Sequence, residues 1–312
     1  MRARLLLVVT AAFLCAAAMA GGHPPKGASR CAVFPRDNHW NQRVDSLPVA
    51  ADSARLVRSI GPTSPVHPDF GSGLYEGRPI GIPFTTVGPR QKRVRVTFEY
   101  AGESDGRRYP IPRRAPVEGG RAADGDRHVI VVDRRRCRLY ELFAAYPVNG
   151  GRSWRAGSGA IWSLRSNKLR PAGWTSADAA GLPILPGLAR YEEVRRGEID
   201  HALRFTAPET RRAYVYPARH FASKSTDPSL PPMGLRVRLR ASFDTSGFGR
   251  QARVVLRALK RYGMLLADNG SPWFISGAPS RGWDNDDLHG LRRVRGSDFE
   301  VVDTSSLPRP GR

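Results

Sequence analysis

The sequence predicts a mainly β fold, a single-domain jelly-roll-like β-sandwich with a few peripheral helices. Its 312 residues include 32 glycines and 26 prolines, a content that favours many short strands joined by turns. Hydrophobic residues make up 40% of the chain, which is enough to bury a core and excludes wholesale disorder. Three segments between 197 and 244 alternate apolar and polar side chains, and they could form one face of a sandwich.

The first twenty residues have the pattern of a signal peptide. Basic residues precede an apolar run over 5–18, and Ala18 and Ala20 supply the small side chains that cleavage requires. The run is too short to span a membrane. We therefore predict a signal peptide over 1–20, cleavage near Ala20, and secretion to the periplasm or the exterior without a membrane anchor.

The rest of the chain is predicted to form one folded unit. Glycines and prolines in 21–30 indicate a flexible leader, whereas 31–312 shows neither a fixed repeat nor a linker and predicts a single β-rich domain. Cys31 and Cys137 are the cysteines that remain after cleavage. In an oxidising compartment, such a pair is expected to form one disulfide.

The chain is strongly basic. It has 50 lysines and arginines against 28 acidic residues, which gives a formal net charge of +22, and only five of the basic residues are lysine. A positive surface attracts anionic polymers, and arginine pairs well with carboxylates and phosphates. Because the arginines are spread along the whole chain, a solvated surface without a specific ligand is the alternative.

Hydrophobic spacing predicts each element of the N-terminal half in turn. Apolar residues on one face predict a short helix over 52–61, and alternation predicts a strand over 94–98. Buried strands are expected at 128–133 and 139–143, followed by a tight turn at Asn149-Gly150. Only one helix is therefore expected in this half.

The C-terminal half carries the clearest strand pattern. Strands are expected at 198–205, 213–218 and 235–243. An amphipathic helix should follow over 252–262 and end at Gly263. The remaining expected elements are a hairpin over 264–276 turned at Asn269-Gly270, a short helix over 286–294 capped by Asp284 or Asn285, and a last strand over 299–303.

The first strand of this half contains a carboxylate pair that could act in glycoside cleavage. Glu198 and Asp200 share one face, about 7 Å apart along the strand. At such a separation one carboxyl group can serve as acid and the other as base or nucleophile. The alternative is a solvated strand face that is balanced by Arg204.

A second candidate centre combines histidine, tyrosine and arginine. β-Elimination from a uronic acid needs a base, an acid and a cation that stabilises the substrate carboxylate. His201, His220 and Tyr216 are the acid and base candidates. The candidate substrate-binding cations on the expected strands are Arg204, Arg236 and Arg238. The alternative is a set of ordinary polar sheet residues, with His201 as a hydrogen-bonded core residue.

The remaining signatures are weak. The chain lacks the zinc-protease, phosphate-loop and dinucleotide motifs, so we expect no cofactor and no metal ion. The acidic residues Asp284, Asp286 and Asp287 are interpreted as helix N-terminal residues and not as calcium ligands. Trp174 is one of six tryptophans that could stack on sugar rings.

Export, basic charge and the polar strand residues favour a secreted glycan-active enzyme. Its reaction would be that of a polysaccharide lyase on an acidic polysaccharide or that of a glycoside hydrolase. The alternative is a non-catalytic secreted protein that binds glycan or the cell envelope. The expected partner is a polysaccharide, which could be acidic, and no specific nucleic-acid partner is expected.

Overall fold

The computed structural model describes residues 21–106 and 108–311, so the predicted signal peptide lies outside the described residues. Strands predominate over helices, which confirms the β-rich class. The helices are α1 Ser53–Ile60, α2 Tyr191–Arg196, α3 Arg250–Arg261 and α4 Asn285–His289. The strands are β1 His67–Asp69, β2 Leu74–Tyr75, β3 Arg78–Pro79, β4 Phe84–Val87, β5 Val94–Phe98, β6 Arg108–Tyr109, β7 Val129–Asp133, β8 Arg138–Phe143, β9 Tyr146–Val148, β10 Ser153–Ala156, β11 Ser158–Ser163, β12 Leu203–Ala207, β13 Arg236–Leu239, β14 Met264–Asn269, β15 Phe274–Ser276 and β16 Phe299–Val301.

The described strands form three larger sheets and one small hairpin. The largest sheet has the order β1-β15-β12-β14-β13-β16, the other two have the orders β11-β8-β7-β4 and β6-β5-β10-β9, and β2 pairs with β3. Each larger sheet contains at least one parallel pair, such as β12 with β14 and β4 with β7. A jelly roll consists of two antiparallel sheets, so this finer prediction is not confirmed.

The helices follow the hydrophobic spacing closely. Both α1 and α3 lie where the sequence predicts them, and each buries its apolar face in the main core. Gly263 follows α3 with a φ of 63°, and a Cβ atom there would lie 2.1 Å from the carbonyl oxygen of Val237. Glycine is therefore required at this position. Asp284 caps α4 by accepting hydrogen bonds from the backbone N–H groups of Asp286 and Asp287.

The strand predictions of the C-terminal half are only partly correct. The predicted strand over 198–205 begins at Leu203, because α2 ends at Arg196, Gly197 caps it, and 198–202 is the irregular connection to β12. The segment 213–218 is irregular and contains one bridge, from Tyr214 to Met233. The predicted hairpin over 264–276 is wrong, because β12 lies between β14 and β15 in the sheet.

The N-terminal segment is tied to the body of the protein. Cys31 and Cys137 form a disulfide, as predicted. Residues 21–30, which the sequence predicts to be a flexible leader, make specific contacts. Gly22 bridges to Val33, and the guanidinium group of Arg190 donates a hydrogen bond of 2.9 Å to the carbonyl oxygen of His23. Within 21–106 and 108–311, the structure contains no helix with the length and apolar character of a membrane span.

Candidate active site

A β-bulge in the central sheet positions an acidic residue at a cavity wall. Along the β12–β14 pair, Phe205 lies opposite Leu266, whereas the next residue, Thr206, lies opposite Asp268. The extra residue, Ala267, changes the direction in which the side chains after it point. The first four residues of β14 are buried, and Asp268 follows them at the point where the strand reaches the cavity.

Asp268 belongs to a buried cluster that is centred on Arg204. The side chain of Arg204 is only 5% exposed. Its Nε donates to the carboxylate of Asp178 at 3.1 Å, and its Nη1 donates to the hydroxyl oxygen of Ser276 at 2.7 Å. Its Nη2 lies 3.7 Å from the carboxylate of Asp268. One guanidinium group therefore faces the buried carboxyl group of Asp178 and the partly exposed carboxyl group of Asp268.

This environment disfavours a second negative charge. Burial and the neighbouring carboxylate of Asp178 raise the pKa of Asp268 to about 7, and the charge of Asp126 adds to this effect. Burial also raises the pKa of Asp178, although the guanidinium group of Arg204 opposes that shift. Asp268 can consequently hold a proton near neutral pH, which an exposed aspartate does not.

A histidine–carboxylate pair lies beside the cluster. Nδ1 of His128 lies 2.6 Å from a carboxylate oxygen of Glu118, and Nε2 lies 2.9 Å from the carbonyl oxygen of Ala177. Burial opposes a charge on the ring, but the carboxylate of Glu118 raises the pKa of His128 to about 9. Both ring nitrogens then carry protons and donate hydrogen bonds.

The same pair belongs to a group that could be taken for a metal site. Potential ligand atoms of Glu118, Asp126 and His128 lie within 4.8 Å of one another. Both ring nitrogens of His128 are already paired, Nδ1 with Glu118 and Nε2 with the carbonyl oxygen of Ala177, so the ring would have to give up one of these contacts to ligate a metal ion. The donor set therefore fits a cation poorly.

The cavity that is lined by Asp126, Asp178 and Asp268 is called the carboxyl pocket. It has a volume of about 420 Å³. Its polar lining consists of Tyr100, Glu103, Asp126, Ser158, Thr175, Ser176, Asp178, His220, Asp268 and Asn269. Nδ1 of His220 pairs with the carbonyl oxygen of Ala179 at 2.8 Å, so a neutral ring carries its proton there and offers Nε2 as an acceptor.

Two further cavities flank this site. One, called the basic groove, has a volume of about 710 Å³ and is lined by Arg138, Trp162, Lys168, Trp174 and Arg219, together with neighbouring residues. The other, called the hairpin cavity, has a volume of about 700 Å³ and is lined by Asp69, Tyr75 and Glu118, among others. Burial and the charge of Glu118 raise the pKa of Asp69, so the hairpin cavity also contains a carboxyl group that retains its proton more readily than usual.

The predicted carboxylate pair is not part of this site. Glu198 and Asp200 lie outside β12, so they do not have the i, i+2 strand geometry that the sequence predicts. Glu198 forms an ion pair of 3.2 Å with Arg261, and Asp200 lies 3.5 Å from Arg196. Both carboxylates are therefore balanced by arginines of neighbouring helices.

The other predicted residues are distributed over the molecule. His201 is buried, and its Nε2 lies 3.2 Å from the carboxylate of Glu193. The hydroxyl of Tyr216 donates to the carbonyl oxygen of Pro310 at 3.0 Å. Arg236 donates to three backbone carbonyl oxygens, and Arg238 forms a 2.8 Å ion pair with Glu300. Of the predicted acids and bases, His220 alone lines the carboxyl pocket.

Three central carboxyl groups were not predicted as functional residues. Asp126 and Asp178 carry no recognisable motif, and Asp268 directly precedes Asn269-Gly270, which the sequence predicts to be a turn. One feature of the sequence could have marked Asp268 as a site residue. It directly follows the apolar run 264–267, and an acidic residue at the end of a buried strand often lines a cavity.

Comparisons with protein families, with curated proteins and with solved structures find no match for this chain.

Proposed function

We propose that the protein is a secreted glycoside hydrolase whose active site is the carboxyl pocket. The observation that carries the proposal is the raised pKa of Asp268, about 7, in a cavity that also presents the carboxyl group of Asp126. Glycoside cleavage needs one carboxyl group that retains a proton and a second that acts as base or nucleophile. Export is supported by the disulfide between Cys31 and Cys137.

Asp268, Asp126 and His220 have distinct parts in the proposed reaction. Asp268 protonates the glycosidic oxygen as the bond to the leaving sugar breaks. Asp126, which is exposed to solvent, activates a water molecule or attacks the anomeric carbon directly. Arg204, which is held by Asp178, positions Asp268, and Nε2 of His220 accepts a hydrogen bond from a sugar hydroxyl.

The alternative lyase reaction has less support. It needs a cation beside the substrate carboxylate, but the described lining of the carboxyl pocket contains no lysine or arginine. Arg204 lies behind that lining and is already paired with Asp178. Tyr216 bonds elsewhere, to the carbonyl oxygen of Pro310.

The test is cleavage of a panel of neutral and acidic polysaccharides by the purified chain. New reducing ends without the ultraviolet absorbance of an unsaturated uronate are expected, and Asp268→Asn should abolish them. Asp69→Asn and Asp227→Asn, which alter the hairpin cavity and an exposed loop, should leave the rate nearly unchanged.

Other outcomes contradict the proposal in distinct ways. Ultraviolet absorbance would identify a lyase, and binding without cleavage would identify a non-catalytic glycan-binding protein. Loss of turnover in Asp69→Asn but not in Asp268→Asn would move the active site to the hairpin cavity.

A further inference from the structure

The basic groove combines exposed cations with an aromatic wall. Arg138 and Lys168 are exposed at its edge, and Arg219 is partly buried. Trp174 is partly exposed in the same cavity. Positively charged groups beside an aromatic ring suit a sugar that carries a carboxylate or sulfate group, because the ring packs against the sugar face while the cations pair with the anion.

The wall of the groove is built and held in place. Arg170 is 4% exposed, and its guanidinium carbon lies 5.7 Å from the ring centre of Trp162 and 5.5 Å from that of Trp174. The guanidinium group also pairs with the carboxylate of Asp105. These contacts fix both tryptophans before any ligand arrives.

A buried donor in this wall lacks a partner. Trp162 is 6% exposed and lines the groove. Across the described part of the chain, its indole Nε1 is one of the few buried side-chain donors without a hydrogen-bond acceptor. The buried Trp40 and Trp154 share this feature, so Trp162 contributes an aromatic wall to the groove and not a hydrogen bond to a ligand.

The groove and the carboxyl pocket are lined by neighbouring residues of two segments. Trp174 lines the groove and Thr175 lines the pocket, and Arg219 and His220 are divided in the same way. The Nε of Arg219 donates to the carbonyl oxygen of Arg170 at 2.9 Å. The two cavities therefore lie next to each other, and a chain of several sugars can occupy both.

We propose that the basic groove is the subsite for an anionic sugar of a polysaccharide whose adjacent bond is cleaved in the carboxyl pocket. This inference rests on the proposed hydrolase function. Because carboxyl groups line the pocket, a second anionic sugar would be repelled there. The substrate class is thus a polymer in which acidic sugars alternate with neutral sugars.

Binding can be measured independently of cleavage. Affinity electrophoresis of the mature chain should be run in gels that contain hyaluronan, chondroitin sulfate, carboxyl-reduced hyaluronan or polygalacturonate. Hyaluronan or chondroitin sulfate should retard the chain most strongly, and the preferred one of the two distinguishes carboxylate from sulfate recognition. Asp268→Asn should bind as tightly as the wild type, so loss of cleavage alone leaves this inference standing.

Two double variants that remove the same charge distinguish binding in the groove from attraction to the overall positive charge of the protein. Arg138→Gln combined with Lys168→Gln should weaken binding about tenfold, which is the scale of a few partly exposed ion pairs. Arg58→Gln combined with Arg253→Gln removes the same charge from the exposed faces of α1 and α3 and should have little effect. Trp174→Ala should weaken binding by a similar factor to the groove pair.

Four results would overturn the inference. Two concern the variants and the anion: both double variants weaken polysaccharide binding equally, or carboxyl-reduced hyaluronan retards the chain as strongly as hyaluronan does. The third is that neither hyaluronan nor chondroitin sulfate retards the chain. The fourth is that the chain binds single-stranded DNA with the same dependence on Arg138 and Lys168. The last result would assign the groove to a nucleic acid.

Discussion

The carboxyl pocket and the basic groove share a wall but use charge in opposite ways. In the pocket, Asp178 and Arg204 are buried and hydrogen-bonded to each other. Burial and the carboxylate of Asp178 raise the pKa of Asp268, although the guanidinium group of Arg204 opposes that shift. In the groove, Arg138 and Lys168 remain in contact with solvent, where water and salt screen each charge. Desolvated charges can alter reactivity, whereas exposed charges mainly add affinity, so we expect the pocket to govern kcat and the groove to govern KM.

The largest expected effect follows from removing the acid of the pocket. Asp268→Asn should lower kcat about a thousandfold, within the range that general acid catalysis contributes. KM should change little, because the groove is intact. Steady-state kinetics on an alternating polymer give both values. A variant that raised KM and retained kcat would reverse the roles assigned to the two cavities.

The next effect concerns the stability of the buried cluster. Arg204→Met removes the cation that faces Asp178 and Asp268, and the free energy of unfolding should fall by about 3–5 kcal/mol near pH 8. The loss should be smaller near pH 5, because both carboxyl groups can take up a proton there. Urea titrations at the two pH values measure the difference.

Arg253→Met is the control, since exposed substitutions change stability by about 0.5 kcal/mol or less. An equal loss at both pH values would show that packing, and not charge, accounts for the effect of Arg204.

A smaller effect is expected at the neighbouring histidine–carboxylate pair. In Glu118→Gln, burial is no longer opposed by a carboxylate, so the pKa of His128 should fall from about 9 to below 6.5. In the wild type the stabilisation that His128 gains from this pair is fully present at pH 6.5 and is lost as the pH rises through 9. In Glu118→Gln, the free energy of unfolding should no longer fall between pH 6.5 and pH 9.

Titration of the histidine ring signals by NMR measures the shift, and Glu209→Gln, at an exposed position, is the matched control. A pKa near 9 in Glu118→Gln would mean that the positive charge of His128 has another source.

The smallest expected effect is the roughly tenfold weakening of binding when Arg138 and Lys168 are replaced. It should appear in KM while kcat stays nearly constant. Added salt should reduce the difference between this variant and the wild type, because the cations are exposed. A fall in kcat of the same size would indicate that the groove also positions the reacting bond.

Local patterns in the sequence predict local structure well. The spacing of apolar residues in α1 and α3, the capping role of Asp284 and the disulfide are all found in the structure. The two helices and the cap depend on residues that are close in sequence. The disulfide follows from the cysteine count, because the two cysteines that remain after cleavage can pair in one way. The left-handed turn predicted at Asn149-Gly150 is also present, with positive φ at both residues.

Sheet order and the site depend on contacts that no local pattern encodes. Asn269-Gly270 predicts a hairpin, but β12 lies between β14 and β15 in the sheet, so β14 and β15 do not pair with each other. Arg204 alternates with apolar residues and is expected to face solvent, yet central strands can be covered on both faces. Asp126, Asp178 and Asp268 are brought together only by the completed fold, so no spacing marks them.

The most direct test of the catalytic pocket is the pH dependence of kcat/KM for the wild-type chain on an alternating acidic polymer. Because Asp268 must be protonated to act as the acid, kcat/KM should fall tenfold per pH unit above about pH 7. Circular dichroism at each pH verifies that the chain stays folded. A kcat/KM that is constant or rises from pH 6 to pH 9 would contradict the assignment of Asp268 as the acid.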